Sequence, residues 1–285
     1  MGLGSNHVTT TTAANFIPEL WALDVIEAAE ANLVMADLVT RFDDAASEGG
    51  DLIHVPTVDD FAANDKAANT EVTPQANTEG KIDIALDQHK EVSFLIEDIV
   101  AVQAKQSLRE VYTKKAGYAI AKTIDSALLG LYSGLTQSVS CGDNIVAADL
   151  RDAIEYLDEA DAPLGARSLV ISPLQKNEML GVSEFVSMSY VGQDPNMPTR
   201  TGLLGEIYGV PVYVSSNVIK TGTAPDEIDH NLLLQKGAFA LAIQLGPRVQ
   251  ANYIPQYLGT LVTVDVIYGF AELRDTFAVD LQTNA

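Results

Sequence analysis

The sequence predicts an α+β fold, with strands and helices in largely separate stretches of chain. Three observations predict it. Residues 98–133 keep helical periodicity without a proline. Residues 82–86, 92–96, 262–268 and 277–279 alternate apolar and polar positions, as half-buried strands do. Between them, residues 147–180 set out a helix, a short apolar strand and a second helix in turn.

Composition bounds the reading. The chain has 285 residues, 47% hydrophobic and 20% charged, enough for a sizeable core in one large domain or two. Its 17 basic and 39 acidic residues give a formal charge of −22. Such a surface repels nucleic acid, whose phosphates need Lys and Arg, so a sequence-specific binder is not expected and affinity for duplex DNA should be low. Cys141 is the only cysteine, so no disulfide forms within the chain. MGLGSNHVTTTTAANF lacks the basic and apolar regions of a secretory signal, and no apolar run is long enough to span a membrane.

The elements follow in order. The first dozen residues are polar and Thr-rich, an arm without a core of its own. From Pro18, Leu20, Leu23, Ile26, Ala29 and Leu33 mark an amphipathic helix, with Trp21 as an anchor for the chain's own core in preference to a neighbour's pocket. Gly49-Gly50 opens a strand from Asp51 to Val58. A polar stretch from Asp59 to Gly80 separates it from alternating Ile82, Ile84 and Leu86, then Val92, Phe94 and Ile96. This reads as a protruding hairpin from Asp51 back to Glu97, with roughly 23 residues per arm and a reach of about 75 Å. An isolated hairpin is marginal in water and must lie against something, such as another subunit.

Asp98 to Ser133 reads as one helix about 54 Å long, with Val100, Ala104, Leu108 and Val111 on one stripe. Ile120, Ile124, Ala127, Leu128 and Leu131 form a second stripe, and Gly134 is the stop. Gly117 inside it implies a bend or close contact. Lys105, Arg109, Lys114, Lys115 and Lys122 scatter around its axis, which fits a solvated helix better than a DNA-binding face. A helix follows from Ala147 to Ala160, then a buried strand from Ser168 to Ser172. Ser172 caps the next helix and Pro173 takes its first position. Val191 to Arg200 and Thr221 to Asp229 read as loops. Leu232–Leu234, Phe239–Leu245, Val262–Tyr268 and Phe277–Val279 supply the closing strands.

The chemistry expected is none. The chain holds no phosphate-binding, dinucleotide, H-E-x-x-H or C-x-x-C motif. His7, His54, His89 and His230 sit in segments of different character, so no metal cluster is expected from them. Cys141 lies in a turn-like stretch with no His partner in its spacing. The acid pairs Asp59/Asp60 and Asp158/Glu159 are expected among 39 acids and read as solvated faces rather than general acid and base. Gly202 and Gly205 lack a following Lys, so they permit a tight turn rather than cradle a phosphate. Catalytic, cofactor-binding and metal-binding residues are therefore all expected to be absent.

Three stretches carry a family resemblance: SLVISPLQKNEML (Ser168–Leu180), TGLLGEIYGVPVYVSSNV (Thr201–Val218) and VTVDVIYGFAELRDTFAVDLQ (Val262–Gln282). In this order, after an arm, a polar-tipped hairpin and a long helix, they resemble the major capsid proteins of tailed bacteriophages, the Hong Kong 97-type shell fold. The resemblance implies an N-terminal arm over 1–48, an extended hairpin loop over 49–97, and a spine helix with the start of a peripheral domain over 98–142. It further implies an axial domain over 143–230 and closing strands of the peripheral domain over 231–285.

The implied function is structural. Pentamers and hexamers of the chain would build an icosahedral shell around double-stranded DNA in the virion, assembled in the host cytoplasm. A separate scaffolding protein, a portal and a decoration protein are the implied partners, with no membrane. Lys66, Lys81 and Lys90 are available for the covalent cross-linking of some relatives, but no motif pairs any of them with an Asn. The alternatives are an encapsulin-like shell around a protein cargo and a soluble hydrolase using an acid pair.

Overall fold

The computed structural model describes residues 34–47, 49–58, 61–72, 74–75, 79–99, 108–182, 205–223 and 226–284. The arm helix with Trp21 and the loop at 191–200 lie outside these residues. In chain order come helix α1 (Met35–Leu38), strand β1 (Thr40–Arg41), α2 (Asp43–Ser47), β2 (Leu52–Val58), β3 (Glu79–Ala85) and β4 (Gln88–Glu97). Next are α3 (Leu108–Leu129) with a 3-10 turn at Gly130–Gly134, β5 (Ser138–Gly142), α4 (Ala147–Glu159), β6 (Arg167–Ile171) and α5 (Pro173–Met179). The remaining strands are β7 (Glu206–Ile207), β8 (Val210–Val214), β9 (Lys220–Thr221), β10 (Ile228–Gln235), β11 (Phe239–Ile254), β12 (Gly259–Glu272) and β13 (Ala278–Asn284).

The strands form three sheets. One has the order β1-β11-β12-β4, a second has β5-β13-β10-β6-β8-β7 with β9 added beside β10, and β2 pairs only with β3. The alternation of Val262, Val264, Val266 and Tyr268 buries all four side chains, and the last three join the core that holds the α3 stripe of Ala116, Ile120, Ile124 and Leu128. Phe94 on β4 meets Tyr112 of α3 edge-on, with ring centroids 5.6 Å apart. In the second sheet, β6 is buried at every position and β10 at all but its first, as suits strands covered on both faces. Buried Asn231 stitches this sheet together. Its Oδ1 accepts the Ser172 amide at 2.8 Å, and its Nδ2 donates to Thr283 Oγ1 at 3.0 Å and to the Leu281 carbonyl at 3.2 Å.

The local signals of the middle segment are realised. α4 spans Ala147–Glu159 and buries Leu150, Ala153 and Leu157. Ser172 accepts the Gln175 amide at the start of α5, with Pro173 in the first turn. Buried Arg167 closes the far end of α4, donating to the carbonyls of Ala162 at 2.7 Å and Pro163 at 3.2 Å while pairing with Asp158.

Several expectations change. The hairpin is shorter: β2 and β3 pair from Leu52↔Ala85 to Val58↔Glu79, seven residues an arm, or about 23 Å. Its expected return arm breaks after Ala85, and β4 instead pairs with β12 from Glu97↔Gly259 to Gln88↔Tyr268. The reason is packing. Ile84 and Leu86 sink into a small core with Ala46, Ala240 and Ala242, while Val92 and Phe94 join the main core.

Of the helix expected from Asp98 to Ser133, residues 98–99 and Leu108–Leu129 are helical, with a 3-10 turn at Gly130–Gly134, while 100–107 lie outside the described residues. Around Gly117 no atom of the described residues outside its own helix backbone lies within 4 Å of an added Cβ, so of the bend or close contact expected there, the contact is not made among them. The expected loop Thr221–Asp229 shrinks, because Ile228 and Asp229 already belong to β10 and pair with Thr221 and Lys220. Finally, Phe277, expected within the last strand, sits in a 3-10 turn just before β13.

Candidate assembly surfaces

The hairpin presents the first surface. Beyond the β2–β3 ladder, Gln75 clips the tip shut, accepting the Ala62 amide at 3.1 Å and donating to its carbonyl. A turn at Ala67–Thr70, with Asn69 at φ 66°, reverses the chain. Phe61 and Val72 are 68% and 69% exposed there, so the described residues leave the tip's apolar groups largely uncovered. Lys66 is exposed on the same tip. On the arms, His54 and Lys81 both pair with Asp83 and hold its carboxyl below the ordinary range, His54 contributing most. At the base Gly269 of β12 lets β3 pass close by, for an added Cβ would overlap the Ala85 carbonyl.

The second surface is the β11–β12 turn. Tyr253, Tyr257, Leu258 and Ile99 are all more than half exposed. Leu258 is held at φ 43°, a left-handed conformation unusual for a bulky residue. Its carbonyl accepts the Asp98 amide at 2.9 Å, and the Tyr253 hydroxyl donates to the Asp98 carboxylate at 2.8 Å, which raises the phenol pKa. Further along, Arg248 grips Asp265 through Nε and Nη2 at 2.9 Å, with His89 at 3.3 Å on the other side. Lys90 lies exposed on β4 nearby in sequence.

A third is the β7–β8 hairpin. Tyr208 and Gly209 at φ 50° and 81° make its two-residue loop, and Tyr208 is exposed. Gly205 at φ 65° provides the turn expected of it, whereas Gly202 lies outside the described residues.

The other sequence candidates do not converge. His54, His89 and His230 lie on the hairpin, on the β4 edge and within the second sheet, and His7 is outside the described residues. Among the described residues no three His, Cys, Asp or Glu are grouped to hold a metal ion. Of the acid pairs, Asp158 is bound to Arg167 at 2.6 Å, and Asp59/Asp60 lie outside the described residues. Burial, with Asp149 nearby, pushes the Cys141 thiol up to about 12, which makes it a poor nucleophile. Lys114 and Lys122 are exposed on α3 and Lys115 is half-buried. Lys105 and the side chain of Arg109 are outside the described residues.

Sequence reasoning missed a buried histidine arrangement. His230 Nδ1 meets Asp280 at 2.8 Å, its Nε2 meets the Thr221 hydroxyl at 2.8 Å, and Tyr132 stacks on the ring at 3.9 Å. The order carboxylate, imidazole, hydroxyl is that of a nucleophile relay. Here the ring is buried among strands and capped by Tyr132, so it is a satisfied core histidine. Its partners are nine and fifty residues away, and no local pattern links them. The exposed β11–β12 turn was also missed. Its signal, NYIPQYLG, mixes Tyr with Pro and Gly, but periodicity does not tell exposed aromatics from buried ones.

No protein-family model and no curated protein matches the chain. Solved structures do. A structure from Mycobacterium phage Che8 is 27% identical, covers 94% of this chain and 97% of its own, and gives a TM-score of 0.79. The capsid of cyanophage P-SCSP1u is 16% identical over 100% of this chain and 98% of its own, with a TM-score of 0.77. The capsid of a native GTA particle is 12% identical over 89% and 90%, with a TM-score of 0.63. By these near full-length superpositions the chain has the fold of phage capsid proteins and resembles the major capsid proteins of tailed phages.

Proposed function

We propose that this chain is the shell subunit of a tailed phage, assembling as pentamers and hexamers into an icosahedral capsid of the Hong Kong 97 type around double-stranded DNA. Its role is structural, not catalytic. The observation that carries the reading is the superposition over nearly the whole of both chains on phage proteins, with a TM-score of 0.79 for the phage Che8 structure. The uncovered hairpin tip supports it, because an apolar pair on a polar loop gains from a neighbour's surface.

In this reading β2, β3 and the tip are the extended loop that reaches over an adjacent subunit. The four-stranded sheet with α3 is the peripheral domain, and the second sheet with α4 and α5 is the axial domain. A scaffolding protein, a portal and a decoration protein are its expected partners, and the finished subunit resides in the virion after assembly in the host cytoplasm. Neither an encapsulin-like shell nor a hydrolase is favoured, since the structural neighbours are phage and GTA capsids.

The test is assembly. Purified subunit, with scaffold supplied, is examined by sedimentation and electron microscopy. Closed shells or ring-shaped capsomers are expected, since heterologous contacts close when the rotation allows. A compact monomer at every concentration would refute the reading. Nuclease-resistant DNA inside particles from infected cells separates a genome container from a cargo shell.

A further inference from the structure

Three segments far apart in sequence meet on one buried carboxylate. Asp125 lies on α3 and is 2% exposed. Its Oδ1 accepts the backbone N–H groups of Val34 at 3.0 Å and Met35 at 2.9 Å, where α1 begins. Its Oδ2 accepts Asn217 Nδ2 at 2.9 Å and the Ser215 hydroxyl at 3.4 Å, in the Ser-Ser-Asn turn that ends β8. Ser215 Oγ also accepts the Asn217 amide at 3.2 Å, which fixes the shape of that turn. The Ser-Ser-Asn stretch marks the end of a strand in sequence terms; in the fold it grips α3.

The chemistry makes the two sides interdependent. A buried carboxylate must keep its donors, since each bond to a charged group is stronger than a neutral one and its loss leaves charge undersolvated. The terminal torsion of Asp is broad, so the carboxylate plane is set by what holds its two oxygens. With the Asn217 bond gone, only the longer 3.4 Å bond from Ser215 holds Oδ2, so the plane turns more freely and Oδ1 is held less firmly on Val34 and Met35. We propose that Asp125 is a two-sided latch, coupling the seating of α1 to the seating of the 215–217 turn. A displacement of the sheet carrying β8 then loosens the start of α1, although the two segments exchange no hydrogen bond through any other group described here. This goes beyond the shell reading and is tested on the isolated subunit, so its failure leaves that reading standing.

The experiment is amide hydrogen exchange on the full chain. Asn217→Ala removes a donor that touches neither Val34 nor Met35. The expected result is exchange about tenfold faster at Val34 and Met35, equivalent to ~1.4 kcal/mol of opening free energy, with amides 231–234 of β10 unchanged. Unchanged rates at Val34 and Met35 overturn the latch, and so does a uniform loss of protection that includes β10. Asp125→Asn keeps the size but not the charge, and should accelerate the same two amides. Combining it with Asn217→Ala should add little further, because both break one unit; additive effects overturn the coupling. If Asp125→Asn does not fold, the Asn217→Ala measurement decides alone.

Discussion

Replacing Gly269 by alanine should lift the hairpin base off the sheet beneath it. A Cβ at Gly269 would lie 2.9 Å from the Ala85 carbonyl carbon and 3.0 Å from Leu86 Cδ2, and would overlap the Ala85 carbonyl oxygen. Leu86 can change rotamer, but the Ala85 carbonyl is backbone and cannot turn aside. Either β3 or β12 must move, and the core of Ile84, Leu86, Ala46, Ala240 and Ala242 opens with it. Overpacking of this kind costs about 1–3 kcal/mol. Urea unfolding of the subunit should show a lower midpoint at an unchanged slope, and amides 82–86 should exchange faster. Gly117→Ala is the matched control. Among the described residues nothing outside its own helix backbone lies within 4 Å of its added Cβ, so inside α3 the exchange should stabilise the subunit by about 1 kcal/mol. A wild-type midpoint for Gly269→Ala, or the same sign for both variants, would refute the argument from Cβ space.

Three further outcomes are expected. Deleting Phe61 to Thr78 leaves Asp59-Asp60 to join arms that already pair at Val58↔Glu79, so the subunit should fold, with normal circular dichroism, yet form no stable shell; normal particles would count against the loop assignment. In Arg248→Met, Asp265 loses the partner that holds its carboxyl below the ordinary 3.8. A depressed carboxyl adds stability above its unfolded pKa and loses it as pH falls, so the variant should trail the parent at about pH 6 and match it near about pH 2 in urea titrations. Cys141, its thiol pushed up to about 12, should resist iodoacetamide at about pH 8 in the native subunit and react on unfolding; rapid native labelling would contradict its burial.

What the sequence made legible was local. The Ser172-Pro173 cap, the α4 span and the Val262–Tyr268 alternation each carry their signal within a few residues, and each is where it was read. The fate of β4 was not local. Nothing at Leu86-Asp87 resembles a turn signal, and the partner of β4 lies some 170 residues on, so hairpin and sheet read as one arm. The Asp280–His230–Thr221 contact and the Asp125 latch are likewise made by sheet pairing across distant strands. The exposed Tyr253, Tyr257 and Leu258 escaped for another reason: apolar side chains awaiting a neighbour have the same composition as those already buried.

The interleaving of the two large sheets sets a timetable for synthesis. β10 and β13 belong to one sheet, while β11 and β12, lying between them in the chain, belong to the other. Each sheet therefore waits on strands from the same late stretch, Ile228–Asn284, and every strand of β1-β11-β12-β4 except β4 and β1 comes from it. A nascent chain that has made α3, α4 and β6 still lacks the strands that cover them, and such late, long-range pairing is slow. Polypeptides cut short by the ribosome or by a protease then expose raw strand edges instead of a finished subunit. A growing lattice would be offered either a completed building block or one that chaperones and proteases can recognise and remove.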